Sequence, residues 1–289
     1  MKRLANHKKI PLFIHSFLGF AFLLVACQNN HPNNTEYSCI SKPCNTNGKK
    51  ELLHLKNTLN YTHYIYFPAN IIIASPHVKN YLKYKNIIKN LNYKITKSKI
   101  KIILNSKIRR IHQKYTIDEI AYNDAIRTKI ESKITTRQLT FIIVPSAKKL
   151  NGFTYTLNQN FEYYLGLGYN LIYISDNPTI GLATFAHEIG HFFGLQHTFG
   201  SSSKQFSSKE SIQGNNCNSE GDFICDTPTD YNLPIDKNCQ YVGINYKNYT
   251  PPIQNFMSYS PGFCRNHFTN EQLDLMSKFA RSYRKNIYF

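Results

Sequence analysis

The sequence predicts a globular α/β domain, and three observations carry that expectation. Two short runs rich in β-branched residues, Leu139–Pro145 and Leu171–Ser175, have the composition of strands buried on both faces. Between and after them come an alternating stretch, Gly152–Thr156, suited to a sheet edge, and a helical segment, Ile180–Phe193, which Asn177-Pro178-Thr179 opens and Gly194 stops. The 289 residues are 42% hydrophobic and 14% aromatic, enough apolar material to bury a core, which excludes a globally disordered chain. The 13 Gly and 12 Pro follow no triplet period and no unit recurs, so collagen, propeller and solenoid architectures are excluded too.

From the N-terminus, residues 1–26 have the layout of a secretory signal. Lys2, Arg3, Lys8 and Lys9 precede an apolar run, Ile10–Ala26, broken only by His15 and Ser16. The run is marginal in length for a spanning helix, and it ends Leu24-Val25-Ala26-Cys27, which resembles the lipobox of bacterial lipoproteins. That resemblance implies a lipid on Cys27 and a chain anchored to a bacterial membrane or cell surface. A plain signal peptide or an uncleaved anchor is the alternative, and either still places the rest outside the cytoplasm. Six further cysteines, Cys39, Cys44, Cys217, Cys225, Cys239 and Cys264, are an even number, and disulfides are allowed in that compartment.

Residues 27–51, rich in Asn, Thr, Ser and Pro, read as a tether or pro-segment. Residues 52–138 form a basic region, with β-rich pieces at Tyr64–Phe67 and Ile71–Ala74 and helices at His77–Leu91 and Asp118–Ile134. In Lys94–Lys114, Ile100, Ile102 and Leu104 alternate with lysines, which predicts a strand with one wet face. The net charge of +18 is uneven: residues 1–150 carry 26 Lys+Arg against 6 Asp+Glu, the remainder 9 against 11. A solvated lysine-rich surface accounts for this, and no nucleic-acid partner is expected; a polyanion-binding face over residues 77–114 is the rival.

The chemistry lies in residues 187–197, which spell H-E-x-x-H-x-x-G-x-x-H. His187 and His191, one helical turn apart, project from one face and can grip one ion. Gly194 allows a sharp turn that brings His197 round as a third ligand, leaving a fourth position of a tetrahedral Zn²⁺ site open for water. Glu188 lies beside them as general base. Composition alone would give about 10⁻⁵ such matches per chain, so the motif is specific. A closed site without catalysis would need a fourth protein ligand and would leave Glu188 without a task.

This motif is the metzincin signature, and Asn255-Phe256-Met257-Ser258-Tyr259 resembles the methionine turn of that group. With His197-Thr-Phe-Gly200, Gly221-Asp222-Phe-Ile-Cys225-Asp226-Thr-Pro228, Cys264 and Phe268-Thr269, the chain from Leu139 onward resembles the pappalysin-like (cytophagalysin) metallopeptidases. The resemblance implies a mixed twisted sheet with the active-site helix above a cleft (139–194) and a disulfide-braced, irregular lower part (195–289) with a final helix. The capping box Thr269-Asn-Glu-Gln272 opens that helix independently. Also implied are a zinc metalloendopeptidase acting on extended peptide substrates, the pairings Cys217–Cys239 and Cys225–Cys264, and Tyr259 as a hydrogen-bond donor to the reaction's oxyanion. A structural calcium is implied as well, for which Asp222, Asp226, Thr227 and Asp230 offer oxygens. Cys39 and Cys44 either close a small disulfide or supply a thiolate to the zinc in a latent form. The protein is expected to be a monomer. The alternative in another class is a surface lipoprotein that binds zinc and has no turnover.

Overall fold

The computed structural model describes residues 24–28, 53–58, 61–134, 138–155, 170–200, 203–242 and 249–289. The signal before residue 24, and Cys39 and Cys44 in the tether, lie outside the described residues. Among them, the chain forms one mixed sheet of β1 (Leu24–Gln28), β2 (Ile65–Ile73), β3 (Ile100–Leu104), β4 (Arg109–Arg110), β5 (Leu139–Val144), β6 (Leu150–Tyr155) and β7 (Leu171–Ser175). The order is β1-β6-β7-β5-β2-β3, with β4 beside β2. Strands β2, β3, β4, β5 and β7 are parallel, β6 runs antiparallel to β7, and β1 antiparallel to β6. The helices are α1 (Leu82–Lys94), α2 (Ile117–Tyr122), α3 (Asp124–Glu131), α4 (Leu182–Phe192) and α5 (Asn270–Tyr283). No helix among the described residues is long and apolar enough to cross a membrane.

Both expected buried strands are buried at every position because helices cover both faces of the sheet. Phe141 and Ile143 of β5 and Ile172 and Ile174 of β7 pack with Tyr84, Ile88 and Leu91 of α1, Phe185 and Ile189 of α4, and Leu273 and Met276 of α5. The alternate residues Ile142, Val144, Leu171 and Tyr173 pack on the other face with Ile117 and Ile120 of α2 and Ile130 of α3. Burying a side chain of this size contributes about 1.5–3 kcal/mol, so these two clusters fix where α4 lies on the sheet.

Several elements differ from expectation for local reasons. The two β pieces at Tyr64–Phe67 and Ile71–Ala74 are one strand, whose first half pairs with β3 and whose second half pairs with β5. The expected helix Asp118–Ile134 is two, because Asn123 adopts an extended conformation and its side chain accepts from Ile126 N to start α3. Asn177 does not cap α4; its carboxamide closes a turn onto Thr179, and the helix begins later after Gly181, which makes no side-chain cap. Strand β6 is inner in the full chain, since Leu24–Gln28, at the expected end of the signal, lie along it with Cys27 opposite Gly152. The capping box at Thr269 and Gln272 forms as expected.

The C-terminal residues return to the start of the sheet. Tyr66 and Phe289 exchange backbone hydrogen bonds of 2.9 and 3.1 Å, and Tyr288 packs on Phe67. The lower part carries two disulfides, and they correct the expected pairing. Cys217 joins Cys225 and Cys239 joins Cys264, with Cα separations of 5.1 and 5.6 Å, in place of Cys217–Cys239 and Cys225–Cys264. Successive turns closed by Cys217 N to Gly214 O, Ser219 N to Asn216 O and Phe223 N to Glu220 O bend the chain back on itself, so Cys225 arrives beside Cys217 before the chain reaches Cys239.

Peptide mapping under non-reducing conditions is expected to recover Cys217 with Cys225 and Cys239 with Cys264; recovery of Cys217 with Cys239 would overturn this topology. The double substitution Cys239→Ser, Cys264→Ser removes the longer loop closure and is expected to lower stability by about 2–4 kcal/mol in urea unfolding.

Candidate metal centre

Helix α4 presents His187 and His191 on one face, and the turn after it brings in His197. The three rings are buried, at 0%, 1% and 3% exposure. Their Nε2 atoms converge: His191 Nε2 lies 2.9 Å from His187 Nε2 and 3.1 Å from His197 Nε2. Among the described residues this trio is the group of His, Cys, Asp or Glu whose ligand atoms converge closely enough to hold an ion. His187 Nδ1 donates to Phe256 O at 2.7 Å and His191 Nδ1 to Leu195 O at 2.8 Å, so the Nε2 of each keeps a lone pair aimed at the common centre. Gly194, at φ +89°, makes the turn, and a side chain there would run into the Phe279 ring. The same turn delivers the Leu195 carbonyl to His191.

Burial pushes His187 and His197 well below the ordinary imidazole range, with the neighbouring rings and the Arg265 guanidinium acting the same way. Burial also lowers His191, to about 4. All three are therefore neutral at physiological pH. Three neutral imidazoles with lone pairs about 3 Å apart repel one another, and a divalent cation between them removes that repulsion. The donor set fits zinc.

The methionine turn closes the centre from below. Met257 is fully buried, and its sulfur packs directly against the α carbon side of Gly190, where any side chain would collide. Asn255 holds the turn: its Oδ1 accepts from Met257 N at 2.8 Å, and its amide pairs with Gln272 at 2.9 and 3.2 Å. Met257 O in turn accepts from Thr198 N, next to the third histidine. Tyr259 is half-buried, with its ring 4.6 Å from His197 and 6.2 Å from His187. At the far end of α4, the buried Arg284 guanidinium lies 3.9 Å over the Phe192 ring and donates to Phe192 O at 2.9 and 3.2 Å, a cation at a helix C-terminus.

Glu188 is buried beside the trio and packs against β6. A Cβ placed on Gly152 would stand 2.8 Å from Glu188 Oε1 and 3.0 Å from its Cγ, so the strand approaches the carboxylate more closely than any other residue type permits. Arg265 reaches the other side of the site. Its Nη1 donates to Phe256 O at 3.2 Å and Ser258 O at 3.1 Å and lies 3.2 Å from His187 Nδ1.

The four expected calcium-binding residues separate. Asp222, Thr227 and Asp230 are buried near one another, while the exposed Asp226 accepts from Glu271 N at the start of α5. Asp230 is engaged by Thr198 Oγ1 and Asn232 N. Glu210, which the sequence pattern missed, joins Asp222: Glu210 Oε1 and Asp222 Oδ2 are buried without a hydrogen-bond partner among the described residues. Burial, then Asp230 and Glu220, push Glu210 up to about 7, and burial holds Asp222 well above the carboxylate range. Glu210 and Arg265 fall in no short motif, while Gln272 and Gly152 were visible only as a helix cap and a strand residue, with nothing in sequence to tie them to the histidines.

Gly152→Ala is expected to leave zinc content unchanged and to lower any hydrolysis that depends on the Glu188 carboxylate about tenfold or more, since a Cβ there must displace that carboxylate. Unchanged kcat with intact zinc would show that the contact is packing only.

Residues 156–281 match the model of the peptidase family described as pregnancy-associated plasma protein-A. An extracellular metalloprotease of Sordaria macrospora is 29% identical over 188 residues, 61% of this chain and 59% of its own length. An extracellular metalloprotease of Neurospora crassa is 26% identical over 242 residues, 79% of this chain and 77% of its own length. Among solved structures, a promirolysin mutant of Tannerella forsythia superposes with a TM-score of 0.57 at 16% identity, covering 81% of this chain and 87% of that one. Mature mirolysin of the same organism, in complex with a cleaved peptide, gives 0.53 at 16% identity over 78% and 99%. These two share the fold. The matched stretch carries the histidine trio and the methionine turn, so over residues 156–281 the chain is similar to the pappalysin-like metallopeptidases.

Proposed function

We propose that the chain is an extracellular zinc endopeptidase that hydrolyses peptide bonds in extended segments of other proteins. The observation that carries this reading is the convergence of three buried, neutral imidazoles with Glu188 beside them and no fourth protein ligand among the described residues. A zinc ion held there supplies a Lewis acid for the attacking water and the scissile carbonyl. Glu188 takes the proton released as water attacks and returns it to the leaving amine, so it ends the cycle ionised. The Tyr259 hydroxyl donates to the carbonyl oxygen as that oxygen becomes an anion. An extended substrate pairs with β6, the strand that abuts Glu188. That edge carries β1, so cleavage of the signal ahead of Cys27 and lipidation of that cysteine would remove Leu24–Ala26 and open it opposite Phe153–Tyr155, while Cys27 stays opposite Gly152.

A second cation completes the reading. The inner oxygens of Glu210 and Asp222, with Thr227 beside them, supply hard ligands for calcium and a reason for two carboxylates to be buried together.

Replacing Glu188 by Gln is expected to keep zinc near one per chain and to lower casein hydrolysis by about 10² or more. His197→Ala should lose both metal and activity, and Tyr259→Phe should lower kcat more than it changes KM. A wild-type protein that holds zinc and cleaves nothing would return the chain to the class of binding lipoproteins.

Glu210→Gln tests the calcium. In the cation-free protein, Glu210 is raised from 4.5 to about 7, so its stabilising contribution is present below about pH 4.5 and is lost as pH rises through 7. With chelator at pH 8, Glu210→Gln should therefore melt above wild type, and with millimolar calcium the order should reverse. The same order in both conditions would remove the calcium.

A further inference from the structure

We propose that Arg265 makes the cleft select a substrate carboxylate next to the scissile bond. The guanidinium stands beside the metal centre, 3.2 Å from the Nδ1 edge of His187. Its Nη1 is used by the carbonyls of Phe256 and Ser258. Those two bonds clamp the head against the methionine turn, and Nη2 lies close to the exposed Gly262: a Cβ on Gly262 would be in van der Waals contact with Nη2, at 3.7 Å, and with the Cβ of Ala183, the residue one helical turn before His187, at 3.8 Å. Nε is buried without a hydrogen-bond partner, and no carboxylate lies within ion-pair distance of the head among the described residues. A cation in that position is unusual. It sits on the outer edge of a ring that ligates a dication, and only neutral carbonyls answer its charge.

An anion delivered by the substrate answers it. A carboxylate docking beside the exposed Gly262 accepts from Nη2, and because the fork is already fixed by its two carbonyl bonds, little side-chain entropy remains to be lost on binding. A lysine in the same place meets uncompensated repulsion, and a glutamine loses the charge-assisted bond. Both the side chain of Asp or Glu and the free C-terminus of a short product-length peptide carry this group. The inference rests on the peptidase reading, and it adds the substrate class to it.

The test is a set of peptides in which one residue on either side of the cleaved bond is Glu, Gln, Lys or Ala, each made as the free acid and as the C-terminal amide. Wild-type protein should cleave the Glu peptide with kcat/KM about tenfold to a hundredfold above the Gln peptide, with Lys lowest. Preference for the Glu member in amides assigns the site to an internal side chain; preference for free acids irrespective of the Glu position assigns it to a terminal carboxylate. Arg265→Met should flatten the series, Arg265→Lys should keep part of it, and Arg265→Glu should favour the Lys peptide, each with zinc counted and melting temperature measured. Affinities of the same peptides for the Glu188→Gln protein, read by fluorescence anisotropy, should follow the same order without any turnover. Efficient casein cleavage with equal rates on Glu, Gln and Lys peptides would overturn the assignment and leave the peptidase reading intact. Zinc-loaded wild type that cleaves no peptide would overturn both.

Discussion

An imidazole can ligate a metal only through a nitrogen that has no proton, so the carbonyl that receives the other nitrogen's proton decides whether a histidine is a ligand at all. Here those carbonyls are Leu195 O and Phe256 O. The first is local, a product of the turn at Gly194. The second comes from 69 residues downstream and ties the active helix to the methionine turn. From that dependence follows much of the lower half. Phe256 O is placed by Asn255, Asn255 is held by Gln272, and Gln272 also closes the box that starts the last helix. A cap that in most helices settles only where the helix begins here sets the tautomer of a ligand.

Burial makes this arrangement work and creates its electrostatic problem. Rings shielded from water stay neutral and ready for a dication, yet the same low dielectric makes every other charge nearby expensive. The chain keeps such charges few and paired with carbonyl or ring partners: Arg284 caps α4 over Phe192, and Arg265 lies on Phe256 O and Ser258 O. The buried acids Glu210, Asp222 and Asp230 gather below the third histidine in the acidic half of the sequence. The lysines of the basic half are left to the surface, as on α1, where Tyr84, Ile88 and Leu91 face the core.

The histidine trio was legible because ligand spacing on a helix follows from 3.6 residues per turn. The buried strands were legible because a continuous β-branched run has few other uses. The break at Asn123 was not legible from composition: the residue ends one helix and caps the next, and its only trace is that Ile126 and Ile130 fall about half a turn out of phase with Ile117 and Ala121. The disulfides were not legible either, since four cysteines in a region poor in apolar periodicity pair according to turns, and the turns at Gly214 and Asn216 leave only a weak trace in composition. Arg265 and Glu210 are single residues of common type whose role appears only when distant segments meet. Asp226, by contrast, looked like its neighbours and points away to α5.

The bonds that join residues 284–289 to β2 and α4 bear on when the domain can form. Tyr66 lies near the start of the domain and pairs with Phe289, and the helix of the metal ligands has its C-terminus closed by Arg284. A chain emerging from the ribosome holds every metal ligand long before it holds either of these partners. Non-local closure of this kind slows folding and leaves the domain open until residues 284–289 are free. The domain thus remains loose, and the ligand helix incompletely capped, until residues 284–289 have emerged.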